Sequence, residues 1–596
     1  MTGSAAPLRI ANCSGFYGDR FSAAREMVEG GPIDVLTGDY LAELTMMILW
    51  KAQRKDRKTG YARTFLGQLE EVMGTCLDRG IKIVTSAGGL NPAGLAQEVR
   101  GLAGRLGINA KVAHVEGDDL LDRLPHLQNA GHLFAHLDSG ESLAAAGVEP
   151  VTANAYLGAW GIVEALRAGA DIVVCPRVTD ASLVVGPSAW RFGWERTQWD
   201  ALAGAVVAGH IIECGPQATG GNYPFLQELP DHRHPGFPIA EVYSDGSSVI
   251  TKHPGTGGLV SVGTVTAQLL YELGTPAYVN PDVVARFDTI VMEEQGPDRV
   301  RICGVRGEPA PADLKVCLNY LGGYRNTMSF VLTGMDIEEK AAMVTEMLFD
   351  LLGGRQSFES VDIHLTRSDR PDAPSNELAS AQLRITVKDP EPTKVGRAFS
   401  NTALELALAS YPGFYTTTPP SGESAYGVYW PTLVPAVEVD HVAVLPDGTR
   451  IHVPPTEPCP PVTVEVPHAE LPSPPGGPIR RLPLGTVFGA RSGDKGGNAN
   501  VGLWARSDEG YAWLARELTV ERFRQLVPEA ADLEILRYEL ANLRAVNFVI
   551  VGLLGEGVAS SVRADPQAKS LGEYVRSRRV DLPQALLWNV PHTVGG

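Results

Sequence analysis

From Leu8 to Val178 the chain alternates short, β-branched apolar runs with amphipathic stretches, and that alternation leaves few folds open. LRIANCSG (8–15), IDVLTGD (33–39), IKIVTSAGG (81–89), AKVAHVEGDD (110–119) and DIVVCPRV (171–178) predict strands. LAELTMMILWKAQRK (41–55), ARTFLGQLEEVMGTCLDRG (62–80) and NPAGLAQEVRGLAGRLG (91–107) predict helices between them. Apolar cores without polar alternation suit strands covered on both faces. Strand-helix alternation with short connections predicts an α/β fold whose N-terminal part is a doubly wound, mainly parallel sheet.

At 596 residues the chain exceeds what one ordinary core organises. The texture loosens after about residue 226, and then strand-helix-strand patterns over 314–414 predict a middle α+β layer of split-βαβ type. The Pro-rich stretch 453–478 reads as an extended linker. The expected domains are therefore 1–240 (an α/β ligand-site domain), 241–452 (the second α+β part of the core), the linker, and a small α+β domain over 479–596. In the last, LGTVFGARSGDKGGNANVGLWAR predicts a hairpin around a Gly-rich turn.

In open parallel sheets, ligands bind outside the carboxyl ends of the strands. Polar or Gly-rich turns follow four of the predicted strands: CSGFYGDR (13–20), TGDY (37–40), SAGGLNP (86–92) and PRVTDAS (176–182). Each alone is equally well a capped loop; together they predict a shared crevice. Its candidate substrate-binding residues are Asn12, Ser14, Gly15, Asp19, Arg20, Asp39, Gly88, Gly89, Asn91 and Arg177. GFYGDR lacks both the dinucleotide glycine spacing and the Walker lysine, so it is either an anion-holding turn or a turn capped by Asp19. Arg177 either ties to Asp180 or takes a substrate carboxylate or phosphate bidentately.

A second apolar helix ends at His210, Glu213 and Cys214, and the glycine-rich turn GPQATGGNY follows. Spacings of three and four place these side chains on one helix face. A His and a Glu so placed can act as general base and acid or as metal ligands, or cap a helix end structurally. His210, Glu213 and Asp180 are the candidate catalytic residues. Gly220, Gly221, Asn222 and His253 (in KHPGTGG) join the substrate-binding candidates. Asp494 and Lys495 in SGDKGGNAN read equally as an anion loop or a hairpin turn. Ser421 and Glu423 form no triad, and no G-x-S-x-G elbow is present.

A net charge of −18 without a basic block argues against nucleic acid or an anionic membrane as partner. Seven scattered cysteines, with no CxxC pair, fit reduced thiols in a cytoplasm and give no structural zinc signature. The first residues, MTGSAAPLRIANCSG, lack the features of a signal peptide, and no apolar run is long enough to span a membrane.

The strings IANCSGFYGDR, DVLTGDYLAEL, CPRVTDASLVVGP, AGHIIECGPQATGGNY, SVITKHPGTGG and LKVCLNYLGGYRN resemble the AtuA family of acyclic terpene utilisation proteins. The tail is similar to the AtuA-like C-terminal domain. The resemblance implies a ferredoxin-like fold for that tail and a role in catabolism of citronellol- and geraniol-type terpenes. It carries no catalytic residues over onto this chain.

The function expected is a cytoplasmic lyase or hydratase acting by general acid/base chemistry on branched acyl-CoA or terpenoid acid intermediates. Backbone amides at Gly88–Gly89 or Gly220–Gly221 would stabilise an enolate-like oxygen. No nicotinamide, flavin or pyridoxal cofactor is called for; a coenzyme A thioester is the expected form of substrate, and a divalent metal is an open option. A homo-oligomer is expected, since sheet edges invite pairing. The alternatives are a non-catalytic binding or scaffold subunit of an acyl-CoA-metabolising complex, and a hydrolase with Cys214 as nucleophile.

Overall fold

The computed structural model describes residues 6–589 except 418, 458, 461, 463 and 467–471. Part of the Pro-rich stretch expected as a linker thus lies outside the described residues. Two compact units emerge: one runs to Asn319 and adds Tyr429–Val558 and the chain from Asp565 onward, and the other is Tyr320–Val428 with Ala559–Ala564.

In the larger unit, β1 (Leu8–Asn12), β2 (Val35–Gly38), β3 (Lys82–Thr85), β4 (Val112–Glu116) and a strand at Ile172–Val174 are those expected from the apolar runs. Pro150–Ala155 forms a further strand, numbered β5 here, which makes Ile172–Val174 β6. The spatial order β1-β2-β3-β6-β4 is parallel throughout. Ala11, Cys13, Leu36, Ile83, Ile172 and Val174 bury one face under the helices Ala23–Glu29, Arg63–Asp78 and Pro92–Arg105. Ile10, Val35, Val84 and Val173, at the alternating positions, are fully buried towards the opposite layer. There the helices Trp160–Arg167, Ser182–Phe192 and Trp199–Ile212 pack. Doubly wound packing is therefore what these continuous apolar runs make.

The sheet is longer than the first five runs imply. β7 (Pro238–Val242) and β8 (Ser248–Lys252) pair antiparallel beside β1, followed outward by Arg299–Cys303 and Val291–Gly296. Val442–Val444 and Arg450–His452 extend the other side antiparallel from β4. The parallel centre is flanked by antiparallel strands from segments whose turn-rich texture hides them. β5 leaves this sheet and pairs with the long strand Asp313–Thr333.

The three strands expected over 314–414 lie adjacent and antiparallel in the order Ser360–Thr366, Ser380–Asp389, Asp313–Thr333, the last entering the smaller unit at Tyr320, and Tyr415–Thr416, not among those expected, pairs antiparallel on its other side. In chain order this is 2-3-1-4, the split-βαβ arrangement.

The C-terminal sheet belongs to the larger unit, with Gly489–Lys495, Asn498–Trp504, Ala545–Ile550 and Ile535–Leu540 adjacent in that order. The expected hairpin is its first pair. Two buried amides tie this sheet to the preceding chain. Asn500 Nδ2 donates to Leu270 O at 2.7 Å and to Asn547 Oδ1 at 3.0 Å. Asn547 Nδ2 donates to Leu273 O at 2.8 Å and Gly274 O at 2.9 Å. Truncation would leave buried carbonyls and an orphaned amide. Asn547→Ala is expected to destabilise the protein by about 1–3 kcal/mol, read as a lower urea midpoint at unchanged slope; an unchanged midpoint would refute the tie.

Candidate functional site

Because β1, β2, β3 and β6 run side by side and parallel, their carboxyl ends share one edge. The turns there are stitched together. Asp39 N donates to Ser14 O at 3.0 Å, and Tyr40 N to Ser86 Oγ at 2.9 Å. Ser86 Oγ donates to Asp39 Oδ1 at 2.7 Å, and Gly88 N to Cys175 O at 3.0 Å. The end of the Trp199–Ile212 helix docks on the same edge. Asn12 Nδ2 donates to Ile212 O at 2.7 Å and Glu213 O at 3.0 Å. A Cβ on Gly15 would lie 2.8 Å from the Cys214 carbonyl carbon, so only glycine allows this approach.

Arg177 sits at the centre. Its side chain is 4% exposed and lies over the Tyr156 ring, 4.4 Å from the centroid. Its Nη1 is 3.5 Å from Asp180 Oδ1, too far for a good hydrogen bond, and both Nε and Nη1 are buried without a partner. A buried guanidinium with unspent donors is set to receive an anion.

Carboxyls surround it in contrasting states. Burial opposes ionisation of Glu43, but Arg177, Lys315 and the Tyr156 hydroxyl, which donates to Glu43 Oε1 at 2.7 Å, outweigh it and hold the carboxyl at about 2. Burial, then the charge of Asp180, pushes Asp39 well above the usual carboxylate range. Asp180 rises through burial too, with Arg177 opposing. Burial, Asp180 and Glu272 push Glu213 well up. Asp180 keeps 32% of its side-chain surface accessible, yet burial dominates its shift. That combination describes a group facing a protein-lined recess rather than open solvent.

His210 is the most enclosed member, with a side chain 1% exposed between the Tyr278 and Phe287 rings. Its Nε2 faces the Gln268 carbonyl at 3.2 Å, and a carbonyl only accepts, so Nε2 carries the proton. Gln268 Nε2 returns a bond to the His210 carbonyl at 3.2 Å. Nδ1 lies 3.2 Å from Glu213 Oε1 without closing a hydrogen bond, and Nδ1 and Glu213 Oε2 are both buried without a partner. Burial and the Lys495 charge lower the imidazole to about 4, so it is neutral near pH 7. A neutral imidazole thus stands behind a carboxyl that burial keeps protonated, and Glu213, 10% exposed, is the outward member of the pair.

The recess holds residues that local patterns did not single out: Glu43, Tyr156, Glu272, Tyr278, Lys315 and Tyr429. Lys315 Nζ lies 5.1 Å from the Tyr156 centroid and 5.7 Å from that of Tyr429. Burial lowers its pKa against the opposing pull of Glu43. Lys315 had one signal: it is the cation in LKVCLNYL, sharing a strand face with Cys317.

Asn12, Gly15, Asp39, Arg177, Asp180, His210 and Glu213 thus converge. Ser14 and Asp19 brace the first turn: Ser14 Oγ donates to Phe16 O at 3.0 Å, and Asp19 Oδ2 accepts from Gly15 N at 2.8 Å. Other candidates are spent on packing. Arg20 bonds Glu26 and the Pro235 carbonyl and lies over Phe237. Asn91 caps the Pro92–Arg105 helix and donates to Lys58 O and Thr59 O. Gly88 abuts the Cys175 carbonyl, and Gly89 abuts Leu49. Gly220 packs on Leu229, Gly221 on Pro216, and Asn222 takes a left-handed turn conformation. His253 is 4% exposed, donates from Nε2 to Met27 O at 2.9 Å and lies under Gly30 and Gly31. Among the described residues no three His, Cys, Asp or Glu side chains are grouped to hold a metal ion. No helix among them is long and apolar enough to cross a membrane.

No curated protein and no solved structure matches the chain. Residues 8–445 match the acyclic terpene utilisation family protein AtuA, and residues 482–581 match the AtuA ferredoxin-like domain. The first match takes in β1 to β8 with Arg177, Asp180, His210 and Glu213, and the second takes in the C-terminal sheet. The chain belongs to the AtuA family, which suggests a role in acyclic terpene utilisation, and it ends in that family's ferredoxin-like domain.

Proposed function

We propose that the protein is a lyase or hydro-lyase of acyclic terpene or branched-chain acyl-CoA catabolism, working by general acid/base chemistry. The observation that carries this reading is the set of carboxyls in one recess with their proton affinities driven apart around Arg177. Such separation assigns acid and base roles.

Arg177 takes the carboxylate or thioester carbonyl of the substrate on its unspent Nε and Nη1. Asp39 and Asp180 share a proton, and Asp39, 5% exposed and the more strongly raised, keeps it. Asp180, opposite Arg177, is then the base that takes a proton from the carbon beside the carbonyl. Glu213 holds its proton and is the acid that delivers it to a departing hydroxyl, which leaves as water. His210 lies behind Glu213, its Nδ1 3.2 Å from Oε1, so it acts through Glu213 and does not touch substrate. Addition of water is the reverse. In carbon–carbon cleavage the base takes a hydroxyl proton and the acid quenches the enolate. Each version breaks or forms one carbon–oxygen or carbon–carbon bond, matched by one proton taken and one delivered, and balances without a redox partner.

Cys214 fits no nucleophilic role. Burial, then Glu213 and Glu272, raise its thiol well above the ordinary range, so the reactive thiolate is scarce.

Mass spectrometry of branched acyl-CoA thioesters incubated with the protein tests the proposal by gain or loss of water, or by cleavage. Glu213→Gln is expected to cut kcat by about 10²–10⁴-fold with little change in melting; retained turnover would remove Glu213 from the acid role. If the wild type transforms no thioester yet co-purifies with acyl-CoA enzymes, the binding-subunit alternative holds instead. Iodoacetamide at pH 7 is expected to leave turnover intact, and rapid inactivation prevented by substrate would restore Cys214 as a nucleophile.

Acid sensitivity follows from His210. The unfolded imidazole protonates near about 6.5, whereas the folded one resists to about 4. The unfolded state therefore binds more protons in that window, and stability falls as pH drops through it, by about 3 kcal/mol from this group. His441, buried and lowered to about 3, acts in the same direction. Urea unfolding of wild type and His210→Gln at pH 7 and 5 isolates the His210 part. The variant should lose less stability on acidification, and equal losses would contradict the assignment.

A further inference from the structure

The ferredoxin-like domain reaches the recess with the tip of its Gly489–Lys495 and Asn498–Trp504 hairpin. A Cβ on Gly493 would lie 2.6 Å from Tyr271 Cε2 and 3.0 Å from Glu272 Cγ. A Cβ on Gly496, whose φ is 65°, would lie 3.2 Å from Tyr429 Cε1. The tip is wedged between the Tyr271–Glu272 turn and Tyr429, at a distance that larger residues would prevent. Arg491 fixes its base by lying 4.6 Å over the Tyr271 ring and bonding Gln217 Oε1.

The two residues between those glycines are charged. Lys495 Nζ lies 5.4 Å from the Tyr278 centroid, on the ring that packs against His210. Its charge acts on His210, Glu213, Glu272 and Lys315. Asp494 Oδ1 is buried without a hydrogen-bond partner. Its neighbours Glu272 and Glu43 lie on the recess. A lysine resting on an aromatic face rather than in a close ion pair, beside an unspent carboxyl oxygen, is a pair built for a ligand oxygen.

We propose that the ferredoxin-like domain is part of the site: Lys495 and Asp494, carried in by the glycine-bounded tip, bind one anionic oxygen of the ligand while Arg177 takes a second. Lys495 supplies the positive charge, and Asp494, whose carboxyl burial and then the Glu272 charge raise to about 8, donates a hydrogen bond. With Arg177 as the second cationic contact, the ligand class is an acyl compound bearing two oxyanionic groups, such as a carboxylate and a carbonyl that becomes enolate-like. This assignment deepens the acid/base reading given above, and its test separates the two.

Lys495→Met keeps the stem that covers Tyr278 and removes the charge. In full-length protein, His210 followed by NMR titration is expected to protonate at higher pH in Lys495→Met than in wild type, because the Lys495 cation is one cause of its lowering. Arg516→Met, on the exposed side of the same domain, should leave that titration unchanged. Glutarate, a dianion, should bind wild type and bind Lys495→Met at least about tenfold more weakly by calorimetry, with Asp494→Asn weakened in the same direction. Turnover by Lys495→Met should fall about 10²-fold. An unmoved His210 midpoint in Lys495→Met would place the tip away from the recess and overturn the proposal. Unchanged glutarate binding in both variants would overturn it as well. A protein that transforms no thioester but shows both the midpoint shift and the lost glutarate binding would sink the lyase reading and uphold this one.

Discussion

Burying the Arg177 guanidinium is the constraint from which the rest of the recess follows. A cation so enclosed is costly unless opposite charge and hydrogen bonds compensate it. The compensation comes from different parts of the chain: Tyr156 beneath the plane, Asp180 three residues on, Glu43 at the start of a helix, and Asp39 beyond. None closes a hydrogen bond to Nε or Nη1. Compensation by charge without saturation by hydrogen bonds leaves binding capacity in the folded state, and a purely structural arginine would have no reason to keep it.

The same enclosure sorts the carboxyls. With more acids than nearby cations, they cannot all ionise in a poorly hydrated space. Glu43 wins its charge because Arg177, Lys315 and the Tyr156 hydroxyl all favour it. Glu213 is pushed up because burial, reinforced by the charges of Asp180 and Glu272, outweighs the pull of Lys495. Asp39 and Asp180 rise as well, Asp39 the more strongly, so position alone sets the proton affinities of these carboxyls apart.

Local sequence rules reached part of this. Strand ends exposed Asn12, Asp39, Arg177 and Asp180 because a continuous apolar core followed by polar residues marks where a parallel strand leaves its sheet. Helical spacing paired His210 with Glu213, and the structure sets the two side chains 3.2 Å apart. The rule could not say that the imidazole would be sealed behind the carboxyl, because the sealing groups, the Gln268 carbonyl, Tyr278 and Phe287, come from 58 and more residues downstream. What the glycines of SAGGLNP face was hidden for a related reason. Glycine admits close approach of any neighbour, and at Gly88 and Gly89 the neighbour is protein rather than ligand. The antiparallel flanks of the sheet were hidden because β7 and β8 are short and sit between Pro- and Gly-rich turns.

The C-terminal hairpin shows how a sequence signal becomes decidable only in three dimensions. Read locally, SGDKGG suits an anion loop and a tight turn equally, since both need glycines beside charged residues. The choice depends on what the glycines face. Gly493 and Gly496 face Tyr271, Glu272 and Tyr429. Asn500 and Asn547, spent on the carbonyls of Leu270, Leu273 and Gly274, hold the same turn from below. A hairpin needed only to connect two strands would gain nothing from a buried amide of its own, and another on the strand beside it, anchoring it to the segment that carries Glu272. Anchoring that fixes where the tip lies is what a group must have if its charge is to act on Glu213 at a defined distance, since Coulombic influence in a poorly hydrated recess changes steeply with position.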